Sequence, residues 1–198
     1  MQDGNIDKER RRFLTTAATV VGGLGMVATA VPFVTSMTPS AKTKAIGAPV
    51  EVDISELKPD EKMTVKWQGK PVWILRRDKK MINDLTSLDN EVRDPHSKVD
   101  QQPDYARNEW RSRKPEYLVV IGLCTHLGCS PNYFPENSTD ALGSDWKGGF
   151  WCPCHGSRFD LAGRVFKGVP APINLLVPPY KFISDTKILI GDDSGSKA

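Results

Sequence analysis

All four cysteines and two of the three histidines of this 198-residue chain fall in two short blocks. One is Cys124-Thr125-His126-Leu127-Gly128-Cys129; the other is Cys152-Pro153-Cys154-His155-Gly156-Ser157. This crowding constrains the fold more than any other feature. Each block offers a Cys and a His within reach of one metal, so two such loops side by side make a Cys₂His₂ site. Thiolate and imidazole together suit zinc or an iron–sulfur centre. The order is C-x-H followed by C-x-x-H, with 25 residues between His126 and Cys152, unlike a typical zinc finger. Cys129 and Cys154 are left over as a second pair, one from each loop. A zinc ribbon with two spare cysteines is the competing reading, but zinc sites do not call for a Cys pair interleaved with the ligands.

The N-terminus carries the second constraint. Residues 1–12 are polar and end in Arg10, Arg11 and Arg12, and no charged residue follows from Phe13 to Ala41. A bilayer core of ~30 Å needs only about 20 helical residues. A single transmembrane anchor over 13–37 is expected. The alternatives are a signal cleaved after Ala28-Thr29-Ala30 and a buried core helix. The basic cluster keeps 1–12 in the cytoplasm and sends the bulk of the chain across. Arg10-Arg11-Arg12-Phe13-Leu14 also fits a twin-arginine export signal.

After a small, polar, Pro- and Gly-broken stretch at 38–49, read as a flexible linker, short apolar runs recur. They are expected strands: Val50–Ile54, Met63–Trp67, Val72–Leu75, Tyr117–Ile121, Phe150–Trp151, Val165–Phe166, Leu175–Val177 and Lys187–Ile190. Fifteen prolines and 16 glycines punctuate them, as in a compact antiparallel β domain. Residues 89–116 interrupt the pattern with interleaved acids and bases. They read as a solvated insertion with a short helix near Tyr105–Arg111. A docking face for a partner is the alternative there. His96, within that segment, reads as an exposed surface residue. The net charge of +3 is too small and too mixed for a nucleic-acid partner.

C-T-H-L-G-C with C-P-C-H-G-S resembles the Rieske iron–sulfur protein of the cytochrome bc (quinol–cytochrome c reductase) complex, proteobacterial type. The resemblance extends to the anchor, the linker, the β head and a proline-rich loop after the second box. It implies a mainly β fold: twin-arginine segment 1–12, anchor 13–37, hinge linker 38–49, and an antiparallel head over 50–198. A small cluster-binding subdomain is inserted at about 122–172. It implies one [2Fe–2S] cluster, with Cys124 and Cys152 on one iron and His126 and His155 on the other, and a disulfide between Cys129 and Cys154. Two neutral imidazoles in place of two thiolates raise the potential to about −150 to +300 mV, against about −400 mV for all-cysteine plant-type centres. That range suits oxidation of a quinol.

By the same resemblance, the chain is a subunit of an oxidoreductase and not catalytic alone. It takes an electron from quinol on cytochrome b and passes it to a membrane-anchored cytochrome c subunit, in a dimeric complex of the bacterial inner membrane with the head periplasmic. His155 is the expected quinol-contacting acceptor of electron and proton. Leu127 is expected at an apolar docking tip, with a core leucine as the alternative. Ser157 is an expected hydrogen-bond donor to the cluster. The family's second donor is a Tyr; here that position is Phe159, so one donor is expected to be missing. Gly168-Val169-Pro170-Ala171-Pro172 resembles the loop that covers the cluster, one residue longer than the G-P-A-P of many members. A soluble Rieske ferredoxin or oxygenase domain usually lacks the second Cys pair and the anchor. An exported Rieske subunit of the arsenite oxidase type is the other competitor.

Overall fold

The computed structural model describes residues 7–136, 142–143 and 145–195. The chain divides into two compact units, Met1–Ala45 and Ile46–Ala198.

The first unit is built on one helix, α1 (Lys8–Ser36), long and apolar enough to cross a membrane and with no buried residue. Asp7 caps it, its carboxylate accepting from the N–H groups of Glu9 and Arg10. The helix therefore begins before the arginines rather than after them. Four of the threonines that dilute its hydrophobicity are satisfied internally. The hydroxyls of Thr15, Thr19, Thr29 and Thr35 donate to the carbonyls of Arg11, Thr15, Gly25 and Val31 one turn back. Those hydroxyls are then not left bare to lipid. Pro32 lies inside the helix, which bilayer helices tolerate. The stretch read as a flexible linker contains a six-residue helix, α2 (Ala41–Ile46).

Among its described residues the second unit holds nine strands: β1 (Val50–Asp53), β2 (Lys62–Trp67), β3 (Lys70–Arg76), β4 (Tyr117–Ile121), β5 (Asn132–Phe134), β6 (Gly149–Trp151), β7 (Arg158–Phe159), β8 (Tyr180–Ser184) and β9 (Lys187–Ile190). They form three antiparallel three-stranded sheets, ordered β1-β9-β8, β2-β3-β4 and β5-β6-β7. The apolar run Tyr117–Ile121 is buried along its whole length, although β4 is an end strand of β2-β3-β4. The β5-β6-β7 sheet carries the second Cys/His block between β6 and β7. Trp73 of β3 stacks on Phe150 of β6, with ring centroids 5.0 Å apart, and so joins that sheet to the larger core.

Several expectations fail for physical reasons. Leu175–Val177 is not a strand. Leu175 and Val177 are buried as the apolar run suggests, but the backbone bonds go to three different segments. Leu175 N donates to Gly163 O, Val177 N donates to Gln101 O, and Leu176 O accepts from Ile121 N. Val165 and Phe166 make only isolated bridges, to Phe159 and Val92. Helix α3 (Lys79–Ser87) was not foreseen, although Asp78 caps it and Met81, Leu85 and Leu88 fall on its buried face at helical spacing.

Residues 89–116 are a solvated insertion only in part. Every charged residue there except Arg111 is exposed or partly exposed, but Ser97, Gln101, Gln102, Ala106, Arg111 and Ser112 are buried. The segment holds one 3₁₀ turn, Asp104–Ala106, in place of the expected helix. Arg111 departs from the expectation because the acceptors that draw it inward are main-chain carbonyls far along the chain, which leave no mark in the local sequence. His96 is exposed, as read.

Candidate metal centre

The two blocks fold as matching loops. In the first, Cys124 O accepts from Gly128 N at 2.9 Å and Cys124 N donates to Cys129 O at 2.7 Å. In the second, Cys152 O accepts from Gly156 N at 2.9 Å and Cys152 N donates to Ser157 O at 2.8 Å. Gly128 and Gly156 take φ of +82° and +74°, which lets each loop double back over five residues. The first loop is anchored at Gly122, whose N–H donates to Pro71 O at 2.8 Å. A Cβ on Gly122 would overlap the Trp73 indole. The tryptophan that carries the sheet-to-sheet stack thus also sets where the first loop begins.

The loops meet. Cys129 and Cys154 are joined in a disulfide, with Cα atoms 6.6 Å apart. Cys124 and Cys152 are free thiols, both buried. The sulfurs of Cys129, Cys152 and Cys154 lie within 4.8 Å of one another, but a disulfide offers no thiolate, so of the three only Cys152 can serve as a ligand. The Cys124 sulfur has Cys152, the His126 N–H and the Ser157 hydroxyl as neighbours. Burial pushes its thiol up, while the two hydrogen-bond donors favour thiolate. The rings of His126 and His155 stand edge to face with centroids 4.7 Å apart. His155 is exposed, and His126 is partly buried with a buried Nδ1 that has no hydrogen-bond partner among the described residues.

That Nδ1 is the observation that tests the fit. A buried polar nitrogen left unmatched costs about 1–3 kcal/mol. The same pair of loops carries two buried free thiols, Cys124 and Cys152, that likewise call for a soft electrophile. Two thiolates and two imidazoles fit a [2Fe–2S] centre of the mixed-ligand type.

Around the ligand set, Ser157 is fully buried, and its Oγ accepts from Ala171 N at 3.0 Å. Thr125, between Cys124 and His126, donates to Ile173 O at 2.6 Å. The proline-rich loop is therefore bound to both blocks. Its extra residue, Val169, is buried, and Arg93 Nη2 donates to the Val169 carbonyl at 2.8 Å. Leu127 is 71% exposed, which excludes a core leucine. Phe159 is fully buried on β7, two residues beyond Ser157. Gly122, Thr125 and Trp73 escaped the reading from sequence. Only the threonine's place between two ligand positions hinted at a role.

Comparison with known proteins agrees with this geometry. Residues 49–181 match the family described as "Rieske [2Fe-2S] domain", and residues 1–40 match "Ubiquitinol-cytochrome C reductase Fe-S subunit TAT signal". The chain is 59% identical to the ubiquinol-cytochrome c reductase iron-sulfur subunit of Allochromatium vinosum over 99% of this chain and 95% of that protein. It is 47% identical to the subunit of the same name from Blastochloris viridis, over 92% of each. Among solved structures, a chain of a hyperthermophilic respiratory Complex III aligns with a TM-score of 0.47 and 24% identity, over 88% of this chain and 98% of that one.

Proposed function

Since the chain belongs to the Rieske iron–sulfur subunits of ubiquinol–cytochrome c reductase, we propose that it takes electrons from a quinol bound on cytochrome b. It delivers them to a membrane-anchored cytochrome c subunit. The observation that carries this reading is the pairing of two buried free thiols with two adjacent imidazoles across disulfide-linked loops. Cys124, Cys152, His126 and His155 would hold the cluster. Bound there, it supplies one-electron acceptance at a potential raised by its two neutral ligands.

The chain's own residues do the rest. His155, the exposed imidazole, meets the quinol hydroxyl and takes its proton. Leu127, largely exposed on the first loop, would supply an apolar contact that keeps water from the quinol–imidazole hydrogen bond. The disulfide and the Thr125–Ile173 and Ser157–Ala171 bonds hold both loops in place without relying on the cluster. Residues 38–49 serve as the hinge between the anchor over 13–37 and the head over 50–198. The six-residue α2 within them is far shorter than the ~12–15 residues an isolated helix needs to persist, so the tether unwinds and reforms cheaply. The helix and twin-arginine segment support a single-pass anchor with residues 1–12 cytoplasmic and the head periplasmic.

The test is redox titration of native membranes followed by electron paramagnetic resonance (EPR), with and without a quinol-site inhibitor, together with purification of the chain from those membranes. A Rieske signal that shifts with the inhibitor, and co-purification with b- and c-type haem, are expected. A colourless chain, or one free of haem partners, overturns the reading.

A further inference from the structure

Arg77, Arg111 and Arg164 are all fully shielded from solvent, and Asp160 is the only carboxylate so deeply buried among the described residues. The three guanidiniums converge on one turn, 160–164. Arg77 Nη1 donates to Leu161 O at 3.0 Å, and Arg111 Nη1 donates to Ala162 O at 3.3 Å and Gly163 O at 3.2 Å. Arg164 Nε pairs with Asp160 Oδ2 at 2.7 Å. This turn continues the second cluster loop. Asp160 lies three residues beyond Ser157, the partner of Cys152, or about 10 Å along an extended chain.

Arg111 reaches the other loop as well. Its Nη2 donates to Leu175 O at 2.6 Å, two residues past Ile173, whose carbonyl holds Thr125. One guanidinium thus binds the chain leading from the second loop and the chain that clamps the first. Gln102 orients it, accepting from Nη2 at 3.2 Å while its own amide donates to Ser97 O and Val99 O. Arg164 has carboxylates beside it, Asp160 and the partly exposed Asp89. Arg77 and Arg111 have none within ion-pair distance among the described residues, only carbonyls, the Ser112 hydroxyl and the Gln102 amide. Burial pushes Arg111 down to about 9 and Arg77 down to about 10, which leaves both protonated at neutral pH.

Holding an unpaired cation out of water costs several kcal/mol, and packing alone would be met by an apolar side chain of similar volume. We propose that Arg111, seconded by Arg77, is a positioning residue of the electron-transfer centre. It fixes the spacing of the two cluster loops, and its charge, which no carboxylate contacts directly, raises the midpoint potential. The inference rests on the cluster assignment above. Reduction adds one negative charge beside the loops, so a nearby cation in a low-dielectric interior favours the reduced form. It also gives the segment 89–116 a function: it delivers this cation.

The test uses the full-length protein in its native membranes, with the midpoint read by EPR-monitored titration. In Arg111→Met the ratio of reduced to oxidised centre at a fixed ambient potential falls several-fold. In Arg111→Lys, which keeps the charge with fewer donors, it stays near the wild-type value. In Asp89→Asn, which removes a negative charge facing Arg164, it rises. A purely structural role would lower the melting temperature of both Arg111 variants and leave the midpoint of the loaded protein unmoved. An unshifted midpoint in loaded Arg111→Met, or Lys falling as far as Met, overturns the proposal. If Arg111→Met fails to load, Arg77→Met and Asp89→Asn must shift in opposite directions, and any other result overturns it. Absence of a Rieske signal in the wild-type membranes would instead remove the functional reading.

Discussion

Replacing Ser157 by Ala separates two tasks carried by one hydroxyl. Its oxygen accepts from Ala171 N at 3.0 Å, and the hydroxyl neighbours the Cys124 sulfur, to which its proton is free to turn, with the side chain fully buried. The first loss leaves the N–H of a buried residue unmatched, at a cost of about 1–3 kcal/mol. That cost is the same in both oxidation states, so it lowers stability and loosens the proline-rich loop without moving the midpoint. The second loss differs between states, because sulfur carries more negative charge when the centre is reduced and a donor then binds it more strongly. A net hydrogen bond of about 0.5–1.5 kcal/mol, at about 1.36 kcal/mol per 59 mV for one electron, lowers the midpoint by roughly 20–65 mV. EPR-monitored titration of the full-length protein measures the second effect, and thermal denaturation of the same preparation measures the first. An unchanged midpoint with the cluster intact would show that the hydroxyl is not spent on the sulfur. A raised midpoint would refute the sign of the argument.

Phe159→Tyr is expected to raise the midpoint by a similar amount, roughly 20–65 mV, if the added hydroxyl finds a cluster sulfur. Because Phe159 is fully buried, a lower midpoint or a lost signal would show that the ring is purely structural. Exchanging both Cys129 and Cys154 for Ser opens a loop of 25-residue separation, and the chain-entropy estimate for such a crosslink is about 3–4 kcal/mol. Denaturant titration should show that loss, with earlier bleaching of the visible spectrum on heating; an unchanged unfolding midpoint would contradict it. Gly122→Ala drives a methyl into the Trp73 ring and should cost about 1–3 kcal/mol and lower cluster occupancy. Iron and labile sulfide per chain measure the occupancy, and full loading with unchanged stability would refute the close approach.

What could be read from the chain beforehand follows a physical divide. The Cys/His blocks, the long uncharged run and the apolar strand Tyr117–Ile121 were legible because each announces itself within a few residues. Within 89–116, Arg111 was not legible as a buried residue because a buried arginine and a solvated one are spelled alike. Arg111 goes inward to meet carbonyls at Ala162, Gly163 and Leu175, whose availability depends on those segments forming no ladder. The same holds for Leu175–Val177, an apolar run whose backbone serves three neighbours instead of one strand. Helix α3 was legible in principle, since Asp78 and the Met81–Leu85–Leu88 spacing spell a cap and a face. At the site, the Cys and His residues that the two loops carry were visible in the motif. The supports were not: Trp73 under Gly122 and Ile173 over Thr125 act across sequence separations of 49 and 48.

The order β1-β9-β8 has a consequence for the timing of biosynthesis. The first strand of the head, Val50–Asp53, pairs with the last, Lys187–Ile190, in the register Val50↔Ile190 to Asp53↔Lys187. Ribosomes release the chain from its N-terminus, so β1 emerges early and waits, its edge unpaired, for nearly the whole head to follow. A sheet closed by contacts this distant in sequence forms late and slowly. The head therefore cannot finish folding until β9 has been made and released. Any checkpoint that admits only finished heads to translocation is in effect a test of whether Lys187–Ile190 has arrived. A premature stop codon just upstream of Lys187 would leave both Cys/His blocks intact and still yield a chain that stays behind.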